Sequence, residues 1–436
     1  MTTNSFYNPK HDNTSPDTAA KLRLILESGI DIRETALDQT DWDVFYHLSD
    51  IRKNILSWIE FKQDCTILEI GAECGAITGL LCEKAKHVTA TDPSKEYCGI
   101  NSIRNRYDDL DIIAGRFKDI KLTCTYDYVT MIGVSAKDLK VNISKAASTL
   151  NPGGQLIVAG EGDCQVFSKL LTKAGLSNIK VYFLKPDHIT TLEVSSEAGD
   201  SGSFLLIASK EPMTIDISYV KFACRRKPEF RILTEITAEG VIKRPMAEVA
   251  KAHIKQLAAN KDKIAGIYNN IIPADCEIKN NSAVFPFING EPLTLPDIDK
   301  VFDYKAPLSD FVVTDRFKEI FGDIEIPAGE KAYPTTNIDS NLDNFMTADG
   351  KTYCIDYEWI ADFPVPIRFV GYRTLFYAGI TPDKFSDYGF SDEDIKLFHS
   401  METAFQQYVS GKDFRYIVTS KFQRPEPERK KHFWNR

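Results

Sequence analysis

What this sequence has little of narrows it first. Among its 436 residues there is no run of about 18 apolar residues, so no segment reads as a membrane-crossing helix. Basic residues are outnumbered, 53 against 62 acidic, and the formal net charge is -9. That balance argues against broad affinity for nucleic acid or an anionic membrane. The nine cysteines, at 65, 74, 82, 98, 124, 164, 224, 276 and 354, are odd in number and include no C-x-x-C pair. They read as free thiols in a reducing compartment, not as a disulfide or zinc framework. The opening stretch MTTNSFYNPKHDNTSPD lacks a basic start followed by an apolar run, so no secretory signal is expected and the cytoplasm is the default location. Internal repeats and long low-complexity tracts are also missing.

What is present suits a globular chain of two or three domains with a sizeable core, given this length and 43% hydrophobic residues. Residues 1 to about 20 are polar and read as loose. TAAKLRLILESGI has helical periodicity. WDVFYHLSDIRKNILSWIEF continues it, with Leu48, Ile51, Ile55 and Trp58 at spacings of three and four. Residues 1–64 are therefore expected to form a helical lead-in.

From Cys65 the pattern changes. Short apolar runs (CTILEIG, HVTATD, LDIIAG, YDYVTMIG, GQLIVAG, IKVYFLK, SFLLIAS) alternate with amphipathic helices such as AITGLLCEKA and SKEYCGINSIRNR. This rhythm predicts an α/β domain over 65–212 with a Rossmann-like, doubly wound, mainly parallel seven-stranded sheet. The last two runs have no clear helix between them and are expected to pair antiparallel at one edge. From about 216 the pattern changes again. YVKFACRRKPEFRILTEITAEGVIKRP reads as three strands, a helix follows over MAEVAKAHIKQLAANKDKIAGIY, and later segments are strand and then helical. The tail RPEPERKKHFWNR is charged and reads as solvated.

The first chemistry-bearing stretch is ILEIGAECGAIT. Gly71 and Gly75 make a strand-to-helix turn, which lets backbone N–H groups face a polar ligand. Asp92 ends the next strand, 21 residues after Gly71, where an acid accepts hydrogen bonds from ribose hydroxyls. Either feature alone is equally a plain turn or a solvated aspartate. Together they point to an adenosyl cofactor. The dinucleotide pattern G-x-G-x-x-G fails at position 73, which is glutamate.

The segment EIGAECG instead resembles motif I, E-x-G-x-G-x-G, of class I S-adenosylmethionine-dependent methyltransferases. TATD is similar to their ribose-binding acidic motif, YDYVTMIG to the fourth strand, and LNPGGQLIVAG to the turn and fifth strand. The resemblance covers residues 40–210. It implies S-adenosylmethionine as cofactor, with Glu69 and Gly71 at its methionine end, Glu73 and Gly75 in the same turn, Asp92 on the ribose, and Gly115 and Arg116 by the adenine. Two departures stand out. Glu73 replaces the middle glycine. At about 5 Å from the cofactor's carboxylate it repels by roughly 3 kcal/mol at an effective dielectric of 20; turned outward it only favours the positive helix end. The segment after the fifth strand, EGDCQVFSKLLTKAG, is also short where many relatives cover the acceptor. A hydroxyl acceptor needs a base. His47 and His188 are candidates, each equally readable as structural or exposed.

The second stretch is NIDSNLDNF followed by YCIDYEW. Asp339 and Asn344 lie five apart and Asp356 follows 12 later, with FMTADGKTYCI between as a hairpin turning at Asp349-Gly350. The pattern resembles the catalytic loop and metal-binding aspartate of protein-kinase-like and aminoglycoside-phosphotransferase-like enzymes; a polar hairpin gives the same letters. The resemblance covers about 216–400. It implies an α+β kinase-like bilobal domain (216–436) with Asp339 and Lys243 as catalytic residues, Asn344 and Asp356 as metal ligands, and ATP with Mg²⁺ as further ligands. It also departs from the pattern. CRRKPEFR has no glycine, though Arg225, Arg226 and Lys227 are there to meet phosphate; Glu248 is the nearest acidic candidate partner for Lys243; and Asn337 stands where histidine is common.

A methyltransferase followed by a kinase-like domain resembles bacterial methyltransferase–kinase proteins that modify or terminate surface polysaccharide chains. That resemblance implies a glycan or other small polar acceptor, and glycan-synthesis enzymes as partners. Two other readings stay open: a kinase with a degenerate methyltransferase half, and a non-catalytic scaffold in glycan biosynthesis.

Overall fold

The computed structural model describes residues 2–6, 15–30, 41–133, 139–199 and 202–411. The charged tail lies outside the described residues. The chain divides into two compact units, the first running to Val220 and the second from Lys221.

The first unit is built on a sheet of β1 (Thr2–Phe6), β2 (Thr66–Ile70), β3 (His87–Asp92), β4 (Leu110–Gly115), β5 (Tyr126–Ile132), β6 (Leu150–Glu161), β7 (Asn178–Lys185), β8 (Glu193–Ser195) and β9 (Ser203–Ser209). Their spatial order is β1-β4-β3-β2-β5-β6-β9-β7-β8. From β4 to β6 this is the 3-2-1-4-5 order of a Rossmann-like sheet, all parallel. All seven predicted runs are strands. Their near-continuous apolar character follows from position: β9 is buried at every residue, and β2 and β3 at all but their first. β9 and β7 pair antiparallel as expected, but β9 inserts between β6 and β7 instead of closing an edge. The connection between them carries β8, not a crossover helix, as an antiparallel pair allows.

Helices Thr78–Lys84, Lys95–Arg104, Leu139–Ser148 and Cys164–Lys173 lie between strands. Leu139–Ser148 and Cys164–Lys173 contribute Ile143, Ala147 and Leu171 to a core with Leu68, Val129, Leu156 and Leu206. Three expectations fail. Part of 1–20 is ordered: β1 pairs with β4, and helix Pro16–Glu27 starts at an N-cap where Ser15 accepts from Thr18 N–H. The run 42–61 is not one helix. It breaks at Ser49, whose ψ of 134° leaves a helix over Trp42–Leu48, a 3₁₀ turn over Asp50–Lys53 and one turn over Asn54–Ser57. Finally, β8 was not foreseen. Arg104 donates to the carbonyls of His47 (2.5 Å) and Leu48 (3.1 Å), satisfying end groups of the first helix and tying it to Lys95–Arg104.

The chain passes between units within β10 (Ile217–Phe222). In the second unit β11 (Ile232–Thr237), β12 (Gly240–Pro245), β13 (Ile271–Pro273), β14 (Glu277–Lys279) and β15 (Ser282–Pro286) follow. β11, β12, β15 and β14 form an antiparallel sheet in that order. Helix Lys251–Ile267 packs with it through Ile254, Leu257 and Ile264. The hairpin Phe345–Ala348/Lys351–Cys354 turns at Asp349 and Gly350, whose φ values of +49° and +71° suit a two-residue turn. β13 adds to it in parallel. A second cluster, including Phe317, Phe321, Phe369, Phe398 and Met401, joins helices Asp315–Phe321, Ile367–Tyr377 and Asp392–Ser410.

Candidate functional site

The turn after β2 holds residues 71, 73 and 75 at φ of +80°, +47° and +74°. Glycine takes that region freely. Glu73 is held there at a cost of about 1–3 kcal/mol, the kind of local strain that collects at functional sites. The middle position thus keeps a glycine's backbone while carrying a carboxylate. Four of the turn's amides are already engaged. Gly71 and Ala72 N–H donate to Thr91 O at 2.8 and 3.1 Å, and Gly75 N–H to Ala72 O at 2.9 Å. Glu73 N–H donates to Asp92 Oδ2 at 3.0 Å. The expectation that the turn's N–H groups face a ligand is therefore not met for these four: the neighbouring strand absorbs three of them, and the turn itself absorbs the fourth.

Below the turn runs a chain of buried polar groups. Thr78 Oγ1 donates to Glu69 Oε2 at 2.5 Å, Asn101 Nδ2 to Thr78 Oγ1 at 3.0 Å, and Asn105 Nδ2 to both Asn101 Oδ1 (2.8 Å) and Gly75 O (2.9 Å). Asp92, 5% exposed, ends β3; its Oδ1 accepts from Ser94 N–H at 2.8 Å.

A cavity opens at the carboxyl ends of β2 and β5, where the strand order reverses and ligands of such sheets bind. Arg52, Glu69, Gly71, Glu73 and Ile132 are among its walls, and its volume is about 10 Å³, the room of a single water. The Glu73 carboxylate accepts from Tyr46 Oη at 3.1 Å, with His47 Nδ1 at 3.9 Å. It is turned toward Tyr46 and His47, and 34% of the side chain is exposed. Arg52 is 4% exposed and stacks on Tyr46, Cζ 4.1 Å from the ring centre. Its Nε and Nη1 have no hydrogen-bond partner among the described residues.

Burial pushes the Glu69 carboxyl up to about 8; the Thr78 hydroxyl opposes this, and Asp92 and Glu73 add to it. Burial raises Glu73 too, against the pull of Arg52. Burial, and then the charges of Arg52 and Arg104, lower His47 to about 3. Burial and Arg52 lower His188 to about 4, although Glu161 pulls the other way. Both imidazoles are neutral at neutral pH. His188 stands over the end of β5: a Cβ at Gly133 would meet its Nε2 at 3.3 Å, while Nδ1 lies 3.7 Å from Glu161 Oε1.

Of the residues named from sequence, the fold brings Glu69, Gly71, Glu73, Gly75 and Asp92 together. Gly115 ends β4 beside them, since Ala114 pairs with Asp92. Arg116 follows it, but its guanidinium is held by Asp119, with Nε 2.7 Å from Oδ2. Sequence reasoning missed Tyr46 and Arg52. Their signal was only an arginine in an amphipathic stretch, and nothing linear linked it to a turn 20 residues on.

In the second unit, Lys243 on β12 reaches Asp356 at 2.6 Å. Lys243 is therefore partnered by Asp356 and not by Glu248, which is exposed and pairs with Lys251 at 2.8 Å. Asp356 Oδ1 is buried without a hydrogen-bond partner among the described residues. Asp339 Oδ1 accepts from Asn341 (2.8 Å) and from Arg373 (2.9 Å), and Asn344 Nδ2 reaches Asp339 O at 2.9 Å. Arg226 is not part of a basic face: it and His253 clasp the buried Glu358. Burial opposes ionisation of Glu358, but the Arg226 charge and the His253 hydrogen bond hold it well below the usual carboxylate range. Among the described residues no group of three or more His, Cys, Asp or Glu side chains could hold a metal ion.

No protein-family model matches the chain. A stretch of 87 residues is 34% identical to an uncharacterised methyltransferase of Staphylococcus carnosus. It covers 20% of this chain and 39% of that protein, so the chain spans about two fifths of the curated relative it matches. Among solved structures, the TehB-like S-adenosylmethionine-dependent methyltransferase of Corynebacterium glutamicum is 14% identical, with 47% of this chain and 100% of that one covered at a TM-score of 0.34. The N-methyltransferase NodS of Bradyrhizobium japonicum, in complex with S-adenosylhomocysteine, is 18% identical, with 44% and 99% covered at a TM-score of 0.31. The assignment of a Rossmann-like sheet rests on the strand order, and these scores add nothing to it.

Proposed function

We propose that the first unit is an S-adenosylmethionine-dependent methyltransferase domain. The observation that carries this reading is the direct link between turn and acid: Glu73 N–H on Asp92 Oδ2, at the point where strand order reverses. The matched stretch of the staphylococcal methyltransferase supports it. The residues fit the cofactor in kind, with a buried acid for ribose hydroxyls and glycine-type backbone for close approach. The cavity itself is small, so binding requires the side chains around it to move apart. When bound, the cofactor supplies an already electrophilic methyl group. The chain's own part is to align the acceptor and, for a hydroxyl, to take its proton. Of the two candidate bases His188 stands at the end of β5, but burial and the arginine charges leave both imidazoles weak proton acceptors, so a hydroxyl acceptor needs a change in their surroundings on binding. A glycan or other small polar acceptor, glycan-synthesis partners and a cytoplasmic location belong to this reading.

Titrating the full chain with S-adenosylmethionine in a calorimeter tests it. Saturable heat that Asp92→Ala abolishes supports the proposal. A parent that takes up no S-adenosylmethionine overturns it.

The pair Lys243–Asp356 favours a second reading, in which the C-terminal unit is kinase-like and handles ATP with Mg²⁺. Asp339 would then orient the hydroxyl, and Asn344 and Asp356 would face the metal. Mg·ATP heat lost in Asp356→Ala supports this reading. Mg·ATP binding without S-adenosylmethionine binding favours the kinase with a degenerate methyltransferase half; binding of neither favours the scaffold.

A further inference from the structure

The cavity at the head of β2 holds a donor and an acceptor that its own fold leaves under-used. Arg52 is 4% exposed, yet its Nε and Nη1 have no hydrogen-bond partner among the described residues. Buried N–H groups are seldom left so, and a charged one costs more than a neutral one. Glu73 lines the same cavity, held in a glycine conformation with its side chain about one third exposed. The turn's own amides at 71, 72, 73 and 75 are engaged and cannot serve an anion. The guanidinium is therefore the cavity's strong free donor, and the carboxylate stands beside it through their shared contact, Tyr46.

We propose that Arg52 and Glu73 together read the α-amino-acid end of the adenosyl cofactor, Arg52 taking its carboxylate and Glu73 its ammonium. This rests on the methyltransferase reading of the same site. It turns the departure at position 73 from an obstacle into a determinant. Alone, Glu73 would repel the incoming carboxylate. Paired with Arg52 it completes a clasp of opposite signs for a zwitterion. The guanidinium also gains a partner for one of the N–H groups left without one.

The test uses the full chain, two ligands and no acceptor. S-adenosylhomocysteine carries the amino-acid end, and 5′-methylthioadenosine lacks it while keeping the nucleoside. The parent should bind S-adenosylhomocysteine at least about 10-fold more tightly than methylthioadenosine. Arg52→Gln should weaken S-adenosylhomocysteine by about 10- to 100-fold, the loss expected for charge-assisted hydrogen bonds, and leave methylthioadenosine unchanged. Arg52→Lys should recover part of the loss. Equal weakening of both ligands, or of neither, overturns the proposal. If Arg52→Gln fails to fold, Glu73→Gln gives the same comparison: a loss confined to S-adenosylhomocysteine supports the clasp, and unchanged affinity for both refutes it. If neither ligand binds the parent, the methyltransferase reading falls and the clasp falls with it.

Discussion

Lys243 Nζ and Asp356 Oδ2 meet at 2.6 Å across 113 residues of sequence. The lysine side chain is 6% exposed, the aspartate 31%. Removing the carboxylate takes from a buried ammonium its hydrogen-bonded counter-charge, leaving only the Glu358 carboxylate nearby, which costs more than the pair itself is worth. Because the aspartate is partly wet, Asp356→Ala should cost about 2–3 kcal/mol, toward the low end for such breaks. Urea unfolding of the two proteins measures it. An unchanged midpoint would mean that the pair carries no structural weight.

Gly75→Ala should be among the worst small changes in the first unit. The backbone sits at φ +74°, and an added Cβ would lie 2.3 Å from both Asn101 Oδ1 and Asn105 Nδ2. Neither amide has room to retreat without breaking the buried chain that reaches Glu69. Overpacking and the unsuitable φ together should cost about 3 kcal/mol. Thermal unfolding and loss of S-adenosylhomocysteine binding are the readouts, and a parent-like melting temperature would contradict the account.

Glu69 predicts a pH dependence with a definite sign. In the fold it holds its proton up to about pH 8, whereas an unfolded glutamate releases it near its model value of 4.5. Between those limits the unfolded chain binds fewer protons, so this group's contribution to stability falls as pH rises and levels off above about 8. Glu69→Gln removes that slope. Denaturant unfolding at pH 5 and pH 8 should show the variant gaining on the parent at the higher pH. A variant that loses ground to the parent between pH 5 and pH 8 would have the wrong sign.

Glu358 is the charge the second unit can least spare. It is 3% exposed and held by Arg226 and His253. Glu358→Ala strands the guanidinium and should destabilise by about 3 kcal/mol or more. Glu248→Ala, at an exposed pair of the kind worth little, should stay within about 0.5 kcal/mol of the parent. Comparing the two by calorimetric melting checks the contrast.

The central strands were readable because burial on both faces writes an apolar run, as LIVA does in β6 and FLLIA in β9. β1 was not: TTNSF is short and polar, and only its pairing with β4 makes it a strand. The break at Ser49 escaped because apolar spacing continues across it. What stops the helix there is a serine side chain that accepts from Ile51 N–H at 3.3 Å. Glu69, Gly71, Gly75 and Asp92 followed from spacing, since a strand–turn–helix and the next strand end fix them locally. Arg52 did not, because its meaning lies in what surrounds it in space. Lys243 and Asp356 were singled out from order along the chain, but their pairing was not: Glu248 looked like the lysine's partner only because it is near in sequence.

The hydrogen-bonded ladder from Glu69 through Thr78, Asn101 and Asn105 to the Gly75 carbonyl gives the bend after β2 a stiff floor. Compliance must then come from the roof, the stretch 42–58 that carries Tyr46, His47 and Arg52. Substitution at those few positions reshapes the cavity wall while the bedrock beneath stays as it is.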